Sequence, residues 1–137
     1  NNADANFPKV AGVTLIRATG TNPETAGSSE ISAIQFKKHG NGKFSNVYIE
    51  GYKNTGGKNA YPVLIQDSPT DVSQVIAGKI AVTPINVVNS DNAGVWGYSG
   101  FTSTAPKTIT NSAVAKVSIT GGNWSTVEGV DLTSLLK

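Results

Sequence analysis

The chain has 137 residues with 11 basic and 9 acidic side chains, and this length suits one domain that folds without covalent staples. Charged residues make up only 15% of the chain and the net charge is +2, which excludes both the basic stripe of a nucleic-acid-binding protein and the high net charge of a disordered chain. Cysteine is absent, so a disulfide framework and a thiolate metal site are excluded as well.

No apolar run approaches the roughly 20 residues that a membrane-spanning helix needs. The chain begins with Asn1 and contains no Met, which is typical of a processed or trimmed chain from which a signal peptide or a larger precursor has been removed. We therefore expect residues 1–137 to form a single β domain, either a whole protein or a fragment or terminal portion of a larger one.

The first half of the sequence predicts four β-strands. Apolar and polar residues alternate in each of them, as expected when one face of a strand is buried. The predicted strands cover residues 10–18, 31–38, 44–52 and 61–66. Polar turns separate them, including Asn41-Gly42, a pair that tolerates positive φ.

The second half is less regular. Residues 72–88 form an apolar stretch interrupted by Gly78 and by Pro84, and a proline is confined to an edge, a bulge or a strand end. We predict a loop over residues 89–107, a strand over 113–120, a capping box at 125–128 and a small terminal helix over 131–136. No other segment sustains a helical period, so the fold class is predicted to be all-β.

A weak repeat runs through the strands. The first inward valines are Val13, Val47, Val82 and Val117, at steps of 34, 35 and 35 residues. A near-constant step predicts stacked rungs that share one core, as in a solenoid. The alternatives are that valine is simply frequent in β proteins, and that six or so short strands form an antiparallel β-sandwich.

The residue pattern of two segments resembles that of a known family. Residues 31–36 read ISAIQF and residues 42–51 read GKFSNVYIEG, a short strand and a Gly-x-Gly turn followed by another strand. This pattern is similar to that of the rungs of right-handed parallel β-helix proteins. Within that class it is similar to surface and secreted proteins of Bacteroidota-type bacteria. The resemblance covers residues 10–66 and 113–120. It implies a short right-handed parallel β-helix and export to the cell surface, but no particular activity.

Catalytic chemistry has few candidates. The single histidine, His39, lies in a basic turn without a neighbouring carboxylate to orient it, so a solvated turn residue is favoured over a nucleophilic triad. A polysaccharide lyase would combine an acid with basic residues, for which Glu50, Lys43 and Arg17 are conceivable, although no motif selects them. The sequence predicts no cofactor, and enzyme activity is disfavoured.

Metal binding is restricted to oxygen ligands. Asp67, Asp71 and Asp91 are weak calcium candidates, but they lack the spacing of a dedicated calcium loop. Asp and Asn residues in turns usually bond to their own backbone instead.

Two aromatic residues in a polar stretch, Trp96 and Tyr98, are the candidates for a glycan-binding surface, because exposed rings stack on sugars. The alternative is that one of them plugs the end of a β core.

Three functions follow from these observations. The first is a non-enzymatic, extracellular structural or assembly domain, either a surface protein or a filament subunit, that self-associates or joins other surface-protein chains. The second is a carbohydrate-binding module of a secreted protein with a polysaccharide ligand. The third is a fragment of a polysaccharide lyase or hydrolase.

Overall fold

The computed structural model of this chain describes residues 8–17, 30–37, 40–66, 78–99, 108–117, 126–127 and 130–131. Within them every regular element is a strand. The nine strands are β1 (Lys9–Ile16), β2 (Glu30–Lys37), β3 (Gly42–Glu50), β4 (Asn59–Gln66), β5 (Ile80–Val82), β6 (Ile85–Val88), β7 (Gly97–Ser99), β8 (Thr126–Val127) and β9 (Val130–Asp131). The fold is therefore all-β, as predicted. The part of the chain that the structure describes holds no helix long and apolar enough to cross a bilayer.

The seven longer strands form two parallel sheets. Sheet A is ordered β1–β3–β5, with β6 also paired to β3, and sheet B is ordered β2–β4–β7. Consecutive strands alternate between the sheets except at β5 and β6, which follow each other within sheet A, so the other connections among these seven strands cross from one sheet to the other. The short strands β8 and β9 form a separate antiparallel pair.

A bend divides every strand of sheet A at the same level. Gly12 has a φ of 71° and Asn46 a φ of 50°, and the register places these residues opposite each other. Pro84 occupies the corresponding level between β5 and β6. Glycine and asparagine are the residues that adopt positive φ most readily, so the sequence allows the three bends to stack and split sheet A into two facets.

The core lies between the two sheets. Inward residues stack in columns because the parallel register places like residues opposite each other. The columns of sheet A are Val10–Phe44–Val82, Val13–Val47–Ile85 and Leu15–Ile49–Val87, and those of sheet B begin Ile34–Val63 and Phe36–Ile65. Phe36 and Phe44 join the two sheets edge to face, with ring centroids 5.9 Å apart.

Strand β4 is buried on both faces. Val63 and Ile65 belong to the central core, and Leu64 between them is fully buried as well. Because successive strand residues point in opposite directions, Leu64 lies on the other face of sheet B. Burial of both faces is typical of strands in parallel sheets.

The predicted repeat is half right. Val13 and Val47 are paired as predicted, but Val82 pairs with Phe44, and Ile85 takes the position next to Val47. The reason is the length of the second repeat: Val13 and Val47 are 34 residues apart, whereas Val47 and Ile85 are 38 residues apart, so a step of 35 residues ends at Val82, three residues short of the matching position. Val117 lies outside the columns, and 43% of its surface is exposed.

Three element predictions are corrected. Residues 113–117 form no strand, Gly97–Ser99 is a strand inside the predicted loop, and Thr126–Val127 is a strand where the capping box predicted a helix start. Of the terminal helix predicted over residues 131–136, Asp131 belongs to strand β9, and residues 132–136 lie outside the described residues. The missed features are short, and short segments carry little periodicity from which to predict them.

The column assignment makes a testable prediction about stability. Ile85→Ala should lower the free energy of unfolding by about 2–5 kcal/mol, because it leaves a cavity in the core. The control Val117→Ala should change it by less than about 0.5 kcal/mol, as expected at an exposed position. Urea unfolding followed by circular dichroism measures both, and equal losses would contradict the assigned columns.

Candidate functional site

The outer edge of β1 is the most distinctive surface of the described structure. The Pro8 carbonyl accepts a hydrogen bond from the Lys43 N–H at 2.9 Å, and the Arg17 N–H donates to the Glu50 carbonyl at 3.0 Å. Backbone groups of a parallel strand point alternately to its two sides, so the backbone groups of Ala11, Thr14 and Ile16 point away from β3. Among the strands that the structure describes, none pairs with that side of β1.

The side chains of β1 also leave apolar surface exposed. Val10 is 39% exposed, and Val13 and Leu15 are only half-buried, whereas their column neighbours Val47 and Ile49 are fully buried. The core therefore ends at β1 with part of its apolar surface facing outward. Strand β2 is the outermost strand of sheet B at the same end of the stack.

The β6 part of the opposite end of sheet A is closed by a cap segment, residues 108–112. The Asn111 side chain accepts a hydrogen bond from the Val87 N–H at 3.0 Å and donates one to the Val87 carbonyl at 3.1 Å. The Ser112 N–H donates to the Ile85 carbonyl at 2.8 Å. Together these contacts occupy β6 backbone groups with which another strand would pair. Ile109, a residue of the cap segment, is buried in the core.

A strap, residues 113–117, then crosses the outer face of sheet A towards β1. The Asn86 side chain donates to the Val114 carbonyl at 3.0 Å, and the Val117 N–H donates to the Thr14 hydroxyl at 2.9 Å. Since Thr14, Tyr48 and Asn86 lie in one row across the sheet, the strap spans the full width of this sheet. A groove of about 380 Å³ lies between the strap and the row of bends.

The strap is held near its middle by an ion pair. Lys116 Nζ lies 3.5 Å from Glu50 Oε2, which also accepts a hydrogen bond from the Tyr48 hydroxyl at 2.9 Å. Burial raises the pKa of the Tyr48 hydroxyl above its ordinary value, and the hydrogen bond to Glu50 raises it further. Tyr48 is therefore protonated at ordinary pH and donates a hydrogen bond to Glu50, so this pair has a structural role.

A second groove, of about 470 Å³, lies over the part of sheet A before the bends. Small residues form most of its floor, and Lys9 and Lys43 lie side by side in it. The two ammonium groups give this groove positive charge, and its lining residues include no carboxylate. Like charges at adjacent register positions repel each other.

The predicted glycan-binding residues are placed differently from the prediction. Trp96 is 3% exposed and belongs to the core. It directly precedes β7, and continuing the register of that strand sets it opposite Val63. A buried ring has no free face on which a sugar can stack. The Tyr98 backbone pairs with Ile65, and its side chain lies outside the described part.

The predicted calcium ligand Asp91 is engaged by the protein itself. Its carboxylate accepts a hydrogen bond from the Asn54 N–H at 2.7 Å and lies 3.4 Å from Lys53 Nζ. The Asn54 hydrogen bond is the main reason that the pKa of Asp91 is lowered; burial opposes it, and Lys53 adds to the lowering. Asp67 and Asp71 lie outside the described residues, within which no three His, Cys, Asp or Glu residues cluster.

The Asp91 contacts tie together two of the loops that connect the sheets. Asn54 Oδ1 in turn accepts from the Ala60 N–H at 2.7 Å, and the Asn92 side chain donates to the Ala60 carbonyl at 2.8 Å. The loop after β3 and the loop after β6 are thereby joined by side-chain hydrogen bonds, so Asn54, Asp91 and Asn92 hold the two loops together.

The conceivable lyase residues do not converge. Lys43 and Glu50 lie near opposite ends of β3, seven residues apart at about 3.3 Å per residue. The Arg17 guanidinium donates to the Lys53 carbonyl at 3.2 Å. His39 lies outside the described residues. The described geometry therefore does not bring Glu50, Lys43 and Arg17 together in one site.

Sequence reasoning missed the residues that distinguish the two ends of the stack. Asn111 gives no motif, because an amide side chain that substitutes for a strand is recognisable only in three dimensions. The exposed edge of β1 was equally invisible, since its alternation is the same as that of the fully paired β3.

Comparisons with protein-family models, with curated proteins and with solved structures found no match to this chain.

The electrostatics of Asp91 predict the pH dependence of stability. Because its folded pKa is lowered, Asp91 stabilises the fold fully above its unfolded pKa of about 3.9, and this contribution is lost as the pH falls through the folded value. Asp91→Asn should therefore be less stable than wild type at pH 7, and its stability should fall less between pH 5 and pH 2. Urea unfolding across that range measures the effect.

Lys53→Met is the matched control for this prediction. It should keep most of the acid dependence, because the Asn54 N–H contributes more than Lys53 to the lowered pKa. An Asp91→Asn variant with the wild-type acid dependence would show that another group is responsible.

Proposed function

We propose that this chain is a non-enzymatic structural or assembly domain of an extracellular or cell-surface protein, and that it associates with other chains through the outer edge of β1. The single observation that carries the proposal is the contrast between that edge and the interior strands. In β1 the backbone groups of alternate residues and part of three apolar side chains face outward, and such an edge is a template for pairing with another strand.

We further propose that the two sheets are the rungs of a short right-handed parallel β-helix. Parallel pairing in both sheets, the repeated passage of the chain from one sheet to the other and the stacked bends at Gly12, Asn46 and Pro84 support this arrangement. Parallel pairs are not what an antiparallel sandwich would contain. The right hand is the one that crossovers between parallel strands adopt in about 98% of cases.

The two alternative functions receive less support from the described residues. A carbohydrate-binding module would need an exposed aromatic platform, and Trp96 is in the core. A polysaccharide lyase or hydrolase would need converging acids and bases, and Lys43 and Glu50 are far apart on β3. An assembly domain requires neither feature.

The test is concentration-dependent association. Sedimentation velocity of the wild-type chain should show its average mass rising with concentration. Ala11→Pro should remain monomeric, because it removes an N–H from the outer edge and leaves the pairing of β1 with β3 intact. The control Ala11→Val keeps that N–H and should associate like wild type.

Two results would overturn the proposal. One is a wild-type chain that stays monomeric at every concentration. The other is an Ala11→Pro variant that folds and associates as strongly as Ala11→Val does.

A further inference from the structure

We propose that the partner at the β1 edge is a second copy of this chain, joined β1 to β1 by a two-fold axis, so that assembly stops at a pair. This inference rests on the proposed assembly function and deepens it. It distinguishes between the two forms that an assembly domain can take, a closed pair and an open filament.

The first argument is the difference between the two ends of sheet A. A filament needs a head-to-tail contact, in which the β1 edge of one copy pairs with the β6 edge of the next. At β6 the Asn111 side chain already bonds to both backbone groups of Val87, and the Ser112 N–H bonds to the Ile85 carbonyl. The β6 edge is therefore closed, and of the remaining edges of sheet A the eight-residue β1 is much longer than the three-residue β5, so β1 is the edge that two copies share.

The second argument is self-complementarity. Two antiparallel copies of one strand satisfy each other's backbone groups, and a two-fold axis produces this arrangement from a single surface. The same contact would cover Val10, which is 39% exposed, and the half-buried Val13 and Leu15. A single two-fold contact would therefore satisfy the backbone hydrogen bonds of this edge and also bury its exposed apolar surface.

The third argument is the size of the contact. Strands β1 and β2 form the same end of the stack and contribute eight residues each. An interface of standard size has about 20–30 residues and about 800 Å² per partner. In proportion, this end would bury on the order of 1,000 Å² in total, near the lower limit for a specific interface. We therefore expect a weak, reversible pair.

Charge opposes the pairing. β1 begins with Lys9 and is followed by Arg17, so an antiparallel partner brings cations near each other at both ends. Physiological salt screens charges over about 8 Å, and the experiments below are therefore run at that ionic strength or higher.

Cross-linking tests which edges meet, and the absence of native cysteine makes single-cysteine variants clean. Ala11→Cys places a thiol on the exposed part of β1, and Thr110→Cys places one on the exposed part of the cap segment. With a short bis-maleimide, Ala11→Cys alone should give a covalent dimer in high yield, and Thr110→Cys alone should stay monomeric. A head-to-tail contact would instead cross-link the mixture of the two variants and leave each one alone unlinked, which would overturn the inference.

Uncapping β6 provides an independent test. Asn111→Ala removes the side chain that closes this edge, so each copy would have two open edges and species larger than dimers should appear in sedimentation velocity. Asn86→Ala is the matched control, because it also removes an amide hydrogen bond, to the Val114 carbonyl, without opening an edge. It should stop at the dimer. Hydrogen exchange keeps this test decisive: faster exchange at Val87, with Val47 and Ile49 still protected, shows that the variant is folded and uncapped.

The outcomes separate the two proposals. A wild-type chain that associates without limit supports the assembly function and overturns the closed pair. A wild-type chain that does not associate overturns both. An uncapped Asn111→Ala variant that still stops at the dimer also overturns the role assigned here to the cap segment.

Discussion

Parallel hydrogen bonding between β1, β3 and the β5–β6 pair is the constraint on which the rest of the structure depends. It places like residues opposite each other, so that Val13, Val47 and Ile85 form one column and Leu15, Ile49 and Val87 another. The same register aligns the bends at Gly12 and Asn46. Had either bend moved by one residue, every side chain beyond it would have changed faces, and the core could not be continuous.

A stack built in this way has two ends, and each end has backbone groups to satisfy. At β6 the chain folds back on itself, and the amide of Asn111 substitutes for the missing strand. At β1 the described structure contains no equivalent, and the apolar columns end in half-buried residues. The proposed function follows from this difference in chemistry between the two ends. Within the described residues, the strap over the outer face of sheet A is fixed by Lys116 and Glu50 and ends at the Thr14 side chain, without pairing with the β1 edge.

How much of the fold and of the candidate site could be predicted depends on how far apart in the sequence the interacting residues are. Alternation of apolar and polar residues is local, and it correctly predicted the strands around Val13, Ile34, Val47 and Val63. The pairing of Val13 with Val47 also followed, because both strands carry the same short pattern.

The rest depends on contacts that alternation does not encode. The second repeat is longer than the first, 38 residues from Val47 to Ile85 against 34 from Val13 to Val47, so Val82 falls one column away. The alternation around Val117 belongs to a strap that forms no strand. Trp96 looked exposed because its neighbours are polar and small, yet it fills the core next to Val63. The roles of Asn111 and Asp91 come from partners distant in sequence, and only the folded chain brings those partners within hydrogen-bonding distance.

The central claim, that the outer edge of β1 is the open edge of the stack, is tested most directly by residue-resolved amide hydrogen exchange in β1 at two protein concentrations. The account predicts that Leu15 and Arg17, which face β3, are protected at both concentrations. It also predicts that Ala11, Thr14 and Ile16 exchange rapidly in dilute solution and become protected when the protein is concentrated. Equal protection of both sets in dilute solution would mean that the edge is already covered within one chain, and the account would be wrong.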